Sequence, residues 1–310
     1  MQPSALKVGV SLTTALPRSI PAREAGRMLV ERARAVREAG LDSLFVGDHH
    51  NTPGHYFQGI PTIGRLMAET GDMVTGALFL LPLYQPYLLA EQVGTLAALA
   101  QGPFVVIVAA GEGEEQFSPF AVPLKTRPSR MEEHLTILRR LLDGERLTFE
   151  GRYHTLTDAA ISPLPPQPVP IWVGASARPA LERAGRMGDA WLAAPSVFGE
   201  RLQVEADIYR QAAAAAGREP HLAIRRDIYV GETDADAEAA TRPVLERGYR
   251  GFSPETLVIG GAQRVAEEFA GLAEMGFEHV LVRHIVLDQA LVLASYRRLG
   301  QMVLPLLRRQ

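Results

Sequence analysis

The chain has 310 residues, is 47% apolar and carries a formal net charge of −3. A near-neutral balance of 32 basic and 35 acidic residues offers no domain-scale basic surface, which argues against nucleic acid as a partner. The absence of cysteine excludes disulfides, thiolate metal sites and cysteine nucleophiles. It suits a reducing, cytoplasmic setting. The start, MQPSALKVGVSL, lacks the charged segment and long apolar core of a signal peptide. No run reaches the about 18 uninterrupted apolar residues of a membrane-spanning helix.

In chain order, LKVGVSL (6–12) reads as a first strand. Residues 22–39 place Ala25, Met28, Leu29, Ala33 and Val36 at helical spacing, and Gly40 stops that helix. A second strand, 42–48, delivers Asp48, His49 and His50 at its C-terminal end. A loop with Tyr56 and Phe57 (51–61) and a short helix (62–70) lead to a third strand, MVTGALFLL (73–81). Pro86 opens a helix to about Ala100, and PFVVIVAAG (103–111) is a fourth strand, followed by an amphipathic helix over 127–143.

Residues 144–169 interrupt the alternation with a hairpin around Gly151 and a proline-stiffened connector, SPLPPQPVP. It resumes with PIWVG (170–174), a helix (177–187), DAWLAA (189–194), a helix (199–216) and LAIRRDIYVG (222–231). A longer segment, 232–262, contains a helix and a Gly/Pro loop. A helix (263–275), the eighth strand HVLVRHI (279–285) and a last helix (288–307) complete the chain. Eight near-continuous apolar strands alternating with helices predict an α/β fold, a single (β/α)8 barrel over 1–310 with insertions after strands four and seven.

In such barrels the site lies at the C-terminal ends of the strands. Asp48, His49 and His50 stand there, as loop anchors, metal ligands or proton-transfer groups. His49 and His50 are adjacent and diverge in extended backbone, which disfavours joint ligation of a metal. The other histidines (His55, His134, His154, His221, His279, His284) show no ligand spacing that joins them. After strand four, Ala109, Ala110 and Gly111 let a flat ligand or a phosphate approach the backbone, or simply make a tight turn. Gly111 and Gly113 lack the third glycine of a dinucleotide fingerprint. Gly174, Ala175, Ser176 and Ala177 lie between a strand and a helix N-terminus, a ready anion site. Ser176 is equally suited to serve as an ordinary N-cap.

Taken in order, DSLFVGDHH with IPTIGRLMAET, the 81–142 segment, FEGRYHTL, PIWVGASARPALERAGRMGDAWL and IGGAQRVAEEFAGLAEMGFEHVLV resemble the bacterial luciferase-like, flavin-dependent oxidoreductases. The resemblance runs from the first strand to about Ile285. It implies a flavin, FMN or the deazaflavin coenzyme F420, at the barrel mouth, with its phosphate at Gly174, Ala175, Ser176 and Ala177. The ring system is implied to lie over Ala77, Leu78 and Phe79, where the family often has a bulge or a non-prolyl cis peptide, flanked by Ala109, Ala110 and Gly111. His49 or His50, with Asp48, is implied near its reactive edge. The implied activity is a two-component FMN-type monooxygenase using reduced flavin and O2 on a small organic molecule, with a separate reductase. The alternative within the family is F420-dependent hydride transfer.

This chain departs from many relatives at Gly102-Pro103, where Gly-Arg is common, at Ala109, where glycine is common, and at Ala110, near which some have a phosphate-binding arginine. Arg178, Arg127 and Arg130 are candidates to replace that arginine. The loop 51–61 and the segment 232–262 are candidate substrate pocket and lid. The family commonly dimerises through helices flanking strands two and three, with which the apolar helix Leu88–Ala100 is compatible. Two other classes stand beside this assignment: a metal-dependent barrel hydrolase, and a flavin-binding protein without turnover.

Overall fold

The computed structural model describes residues 6–308. Eight parallel strands close into a barrel: Lys7–Leu12, Ser43–Val46, Val74–Leu80, Phe104–Ala109, Ile171–Ala175, Ala190–Ala193, Leu222–Val230 and His279–His284. We number these one to eight. Strand one pairs with strands two and eight, and strand six pairs with strand seven, so no edge of the barrel is left open. This is the (β/α)8 barrel expected from the alternation. The main helices after successive strands are Ala22–Glu38, Gly59–Thr70, Pro86–Leu99, Arg127–Leu142, Arg178–Met187, Gly199–Ala215, Ala262–Glu274 and Gln289–Arg298.

Strand parity divides the side chains into two cores. Phe45, Val105, Ile107, Trp172, Leu192, Ala223 and Leu281 pack against one another inside the barrel. Their strand neighbours, such as Leu44, Val46, Ala77, Phe79, Val106 and Val108, face the helices. The Phe45 and Trp172 rings lie 5.5 Å apart between centroids, and Trp172 is 5.0 Å from His279, so an aromatic plug fills the lower lumen. Glycine makes room for it. A Cβ on Gly76 would lie 2.7 Å from the Phe45 ring and 2.1 Å from the Val105 carbonyl oxygen. Removing a ring of this kind costs about 3–5 kcal/mol.

Three features differ from the sequence expectation. Leu257–Gly260 forms a further parallel strand beside strand seven, from Asp227↔Leu257 to Val230↔Gly260. The insertion after strand seven thereby returns to the barrel instead of forming a free loop. Ala15–Leu16 pairs antiparallel with His55–Tyr56, stitching the loop after strand two to the end of strand one. Strand three pairs with strand four in unbroken register from Thr75 to Leu80, and the cis peptide found among the described residues is Ser162-Pro163. The bulge or cis bond that the family often has is therefore absent from strand three.

The expected hairpin is present as Leu147–Glu150 with Thr155–Ala159. Glu133 holds it: the carboxylate accepts the backbone N–H groups of Arg152, Tyr153 and His154 at 2.7–3.1 Å. Among the described residues no helix is long and apolar enough to cross a membrane.

Candidate active site

Above the aromatic plug, the lumen-facing positions on strands two, four and five are small: Gly47, Ala109 and Gly174. A Cβ on Gly174 would meet its nearest neighbours, the Val108 oxygen and the Ala109 Cβ, at 3.5 and 3.6 Å, so the strand-five end has free space. Above Gly47 stands Tyr56, whose hydroxyl would be 3.0 Å from a Cβ there. Burial raises the pKa of that phenol. At the end of strand one, Thr13 buries a hydroxyl oxygen with no protein partner.

The two histidines separate. His49 continues the lumen-facing parity of Phe45 and Gly47 and is exposed at the mouth, its ring 5.9 Å from that of Tyr56. Partial burial lowers its pKa from 6.5, and Arg250 and then His50 push in the same direction. A neutral imidazole at neutral pH is the result, fit to accept a proton. His50 is half-buried, edge-on to Phe120 at 4.7 Å and beside Tyr84. Its Nε2 lies 3.2 Å from Asp48 Oδ1, while its backbone N–H donates to Gln116 Oε1.

Asp48 turns away from the mouth. The residue is buried, and its Oδ2 accepts the Leu80 backbone N–H at 2.8 Å and the Tyr84 hydroxyl at 2.9 Å. It ties the end of strand two to the end of strand three. Of the strand-three residues, Leu78 packs against the lumen cluster, whereas Ala77 and Phe79 bury their side chains among the helices. Those two present only backbone to a ligand. Ala109, Ala110 and Gly111 are half-buried, and Gly111 has φ +73°, a turn that glycine accommodates without strain. Gln116 and Asn51 bridge the loops after strands four and two, with Asn51 Nδ2 donating to the Glu115 carbonyl.

Gly174, Ala175 and Ser176 are half-buried and Ala177 is exposed. The helix Arg178–Met187 starts from Ala177 as N-cap, with no side-chain capping bond. Ser176 is therefore not an N-cap, and the positive end of the helix is free to meet an anion. Trp191 Nε1 donates to the Ala175 carbonyl at 2.9 Å and fixes the turn from behind. Among the candidate arginines, Arg130 is committed elsewhere, stacked 4.3 Å over Tyr153 and donating to Thr126. Arg178 pairs loosely with Glu182 at 3.7 Å on the surface.

The sequence reading missed a set on strands seven and eight. Arg225, Asp227 and Arg283 share the lumen-facing parity of Ala223 and Leu281, and Asp227 sits level with Arg283. Arg225 Nε donates to Asp227 Oδ1 at 3.0 Å, and the Tyr249 hydroxyl donates to Oδ2 at 2.8 Å. Charged residues two apart in an otherwise apolar strand were the available signal. Among the described residues no three His, Asp or Glu side chains gather in a way that could hold a metal ion.

A closed parallel barrel that gathers a histidine, small residues and an uncapped helix start at one mouth has the layout of barrel enzymes, whose sites lie at the strand ends. Residues 6–278 match the profile of the luciferase-like monooxygenase family, and the chain belongs to that family of oxidoreductases. An F420-dependent glucose-6-phosphate dehydrogenase of Beutenbergia cavernae is 30% identical over 321 residues, spanning 92% of this chain and 94% of that one. The monooxygenase RslO1 of Streptomyces bottropensis superposes with a TM-score of 0.84 at 19% identity, over 97% of this chain and 99% of that one. An F420-dependent secondary alcohol dehydrogenase, solved with an F420–acetone adduct, does so with a TM-score of 0.78 at 20% identity, over 98% and 99%. At these identities the two structures speak to the fold.

Proposed function

We propose that the chain is an F420-dependent dehydrogenase of a small organic alcohol, acting as a single domain. The observation that carries this reading is the near full-length similarity to a dehydrogenase named for that coenzyme. It reverses the order of cofactors expected from sequence, where FMN came first. Two features of the mouth support it. The uncapped helix start and the Ser176 hydroxyl suit a phosphate, and the small residues Gly47, Ala109 and Gly174 leave a ledge for a planar ring.

In this proposal Gly174, Ala175, Ser176 and Ala177 hold the phosphate, while Ala109, Ala110, Gly111, Leu78 and the backbone of Ala77 and Phe79 border the ring. When bound, the deazaflavin supplies a carbon that exchanges hydride with substrate. His49, neutral and facing the mouth, takes the hydroxyl proton of the alcohol. Asp48 and His50 are positioning residues: they fix the strand-two end through Leu80, Tyr84 and Phe120. Tyr56 covers Gly47 and excludes water from that side.

The test is a side-by-side binding titration with F420, FMN and reduced FMN, followed by turnover of glucose 6-phosphate and of simple secondary alcohols. F420 should bind, and His49→Asn should lower kcat by about 10²–10⁴-fold while leaving F420 affinity nearly unchanged. Selective binding of reduced FMN with O2-dependent turnover would overturn the coenzyme assignment. Under the F420 reading no flavin reductase is required. A second copy of the chain is the proposed partner, across the helix that exposes Leu88 and Leu99. A monomer in sedimentation at micromolar concentration would reject it.

A further inference from the structure

We propose that Arg225, Arg250 and Arg283 form a second anion site, inside the lumen at strands seven and eight, which receives a phosphate-type dianionic group of the substrate. The inference deepens the proposed function and rests on the mouth being the active site. It concerns a place two to three strands round the barrel from the turn at Gly174–Ala177.

The charge count is unbalanced. Asp227 is completely buried and is the carboxylate paired with this cluster. Its two oxygens are already used, Oδ1 by Arg225 Nε and Oδ2 by the Tyr249 hydroxyl. Arg283 lies directly across the register from Asp227, and Arg225 sits across from Leu281, one lumen-facing layer deeper. Arg250, in left-handed conformation with φ 54°, stands at the rim, 5.3 Å from the Phe252 ring centroid. Arginine cannot shed its proton to escape such a site.

Two donors are left over. Arg225 Nη2 and Arg283 Nε are buried from solvent and have no acceptor. Other buried arginines are treated differently by this fold. Arg32 donates to Gln289 and the Leu287 carbonyl, and Arg226 donates to the Pro195 and Val197 carbonyls. Among the described residues, no other buried arginine leaves a buried side-chain N–H group without an acceptor. Arg225 titrates near 10, driven down first by burial, with Asp227 opposing and Arg283 and Arg250 adding to the depression. Three guanidiniums against one carboxylate leave an excess of two positive charges, which a dianion neutralises and a monoanion does not. Phosphate oxygens also accept several donors at once. The substrate then enters charged end first, toward strands seven and eight, with its reacting carbon nearer His49 and the ledge.

The test is calorimetric titration of the purified full chain with inorganic phosphate, repeated with acetate and repeated with saturating F420. Phosphate should bind about tenfold or more tighter than acetate. Arg283→Gln and the rim variant Arg250→Gln should each weaken phosphate by about tenfold or more. Both variants are checked for a wild-type thermal melt, and Arg250, on an exposed loop, keeps the test valid where Arg283→Gln fails to fold. F420 should leave phosphate binding in place. Phosphate binding that F420 abolishes and the arginine variants ignore would overturn the site, assigning phosphate to the turn at Gly174–Ala177. Absence of binding, or equal affinity for acetate, would overturn it as well. Failure of F420 to bind at all would reject the coenzyme while leaving the phosphate result to stand by itself.

Discussion

Asp48 offers the sharpest separation between a structural and a chemical carboxylate. In Asp48→Ala the Leu80 N–H and the Tyr84 hydroxyl lose their shared acceptor, which lies 2.8 and 2.9 Å away. Each buried donor left without a partner costs about 1–3 kcal/mol. Removing the carboxylate also removes its own burial cost, so the net loss falls in the lower part of the sum, about 2–4 kcal/mol. At about 2–4 °C per kcal/mol for a large domain, the melting temperature should drop by roughly 5–15 °C. Asp48→Asn keeps an oxygen that can accept both donors and should lose well under half as much. The assay pairs thermal melts with turnover measured well below the melt. Both variants should retain activity to within less than the roughly hundredfold that marks an acid–base group. An Asp48→Asn protein with a wild-type melt and a thousandfold loss of kcat would refute the structural role and return Asp48 to the chemistry.

Three further outcomes follow from the same geometry. Gly174→Val places its Cβ in ordinary contact with Val108 and Ala109, so the fold should be unaffected while coenzyme affinity falls about tenfold or more; unchanged affinity in a fluorescence titration would remove the strand-five turn from the site. Arg250 helps hold the His49 pKa below 6.5, so Arg250→Gln should shift the acid limb of kcat, at saturating substrate, toward higher pH; an unmoved limb would disconnect the two groups. His134, His279 and His284 are pushed down to about 4, about 4 and about 3, chiefly by burial, so the unfolded chain binds their protons first as pH falls below 6.5. Stability should therefore drop between pH 6.5 and about 4, by up to roughly 4 kcal/mol per pH unit with all three contributing. His134→Gln should flatten that slope in denaturant titrations, and a flat wild-type profile would count against buried neutral imidazoles.

Much of the architecture was legible in the sequence because parallel strands buried on both faces are strong apolar runs with helical periodicity between them. The same property hid the parity. In SLFV every side chain is buried and the last three are apolar, so nothing in the run tells whether Phe45 or Leu44 faces the lumen. Parity decides that His49 faces the mouth while Asp48 points away, and that Leu78 faces the lumen while Ala77 and Phe79 do not. The extra strand Leu257–Gly260 escaped because four residues, LVIG, between a turn and a helix carry too little pattern. Arg225 and Asp227 in LAIRRDIYV were visible as charges at period two. Their meaning depended on Arg283, far along the chain, arriving opposite them.

The mouth is thus divided by residue size and charge rather than by a single motif. Strands two, four and five end in glycine or alanine toward the lumen, a choice that sacrifices packing to leave a flat surface. Strands seven and eight instead carry long cations whose donors the protein leaves partly unmet. His49 sits at the boundary, on a strand whose own lumen position is Gly47, with Arg250 close enough to depress its pKa. An arrangement that placed the imidazole among the arginines would hold it neutral but far from a planar coenzyme. One that placed it on the ledge would block the ring. Under the proposed function, that boundary position would let it reach an alcohol whose charged end is held by the arginines and whose carbon lies over the ledge, as a proton acceptor beside a hydride transfer requires.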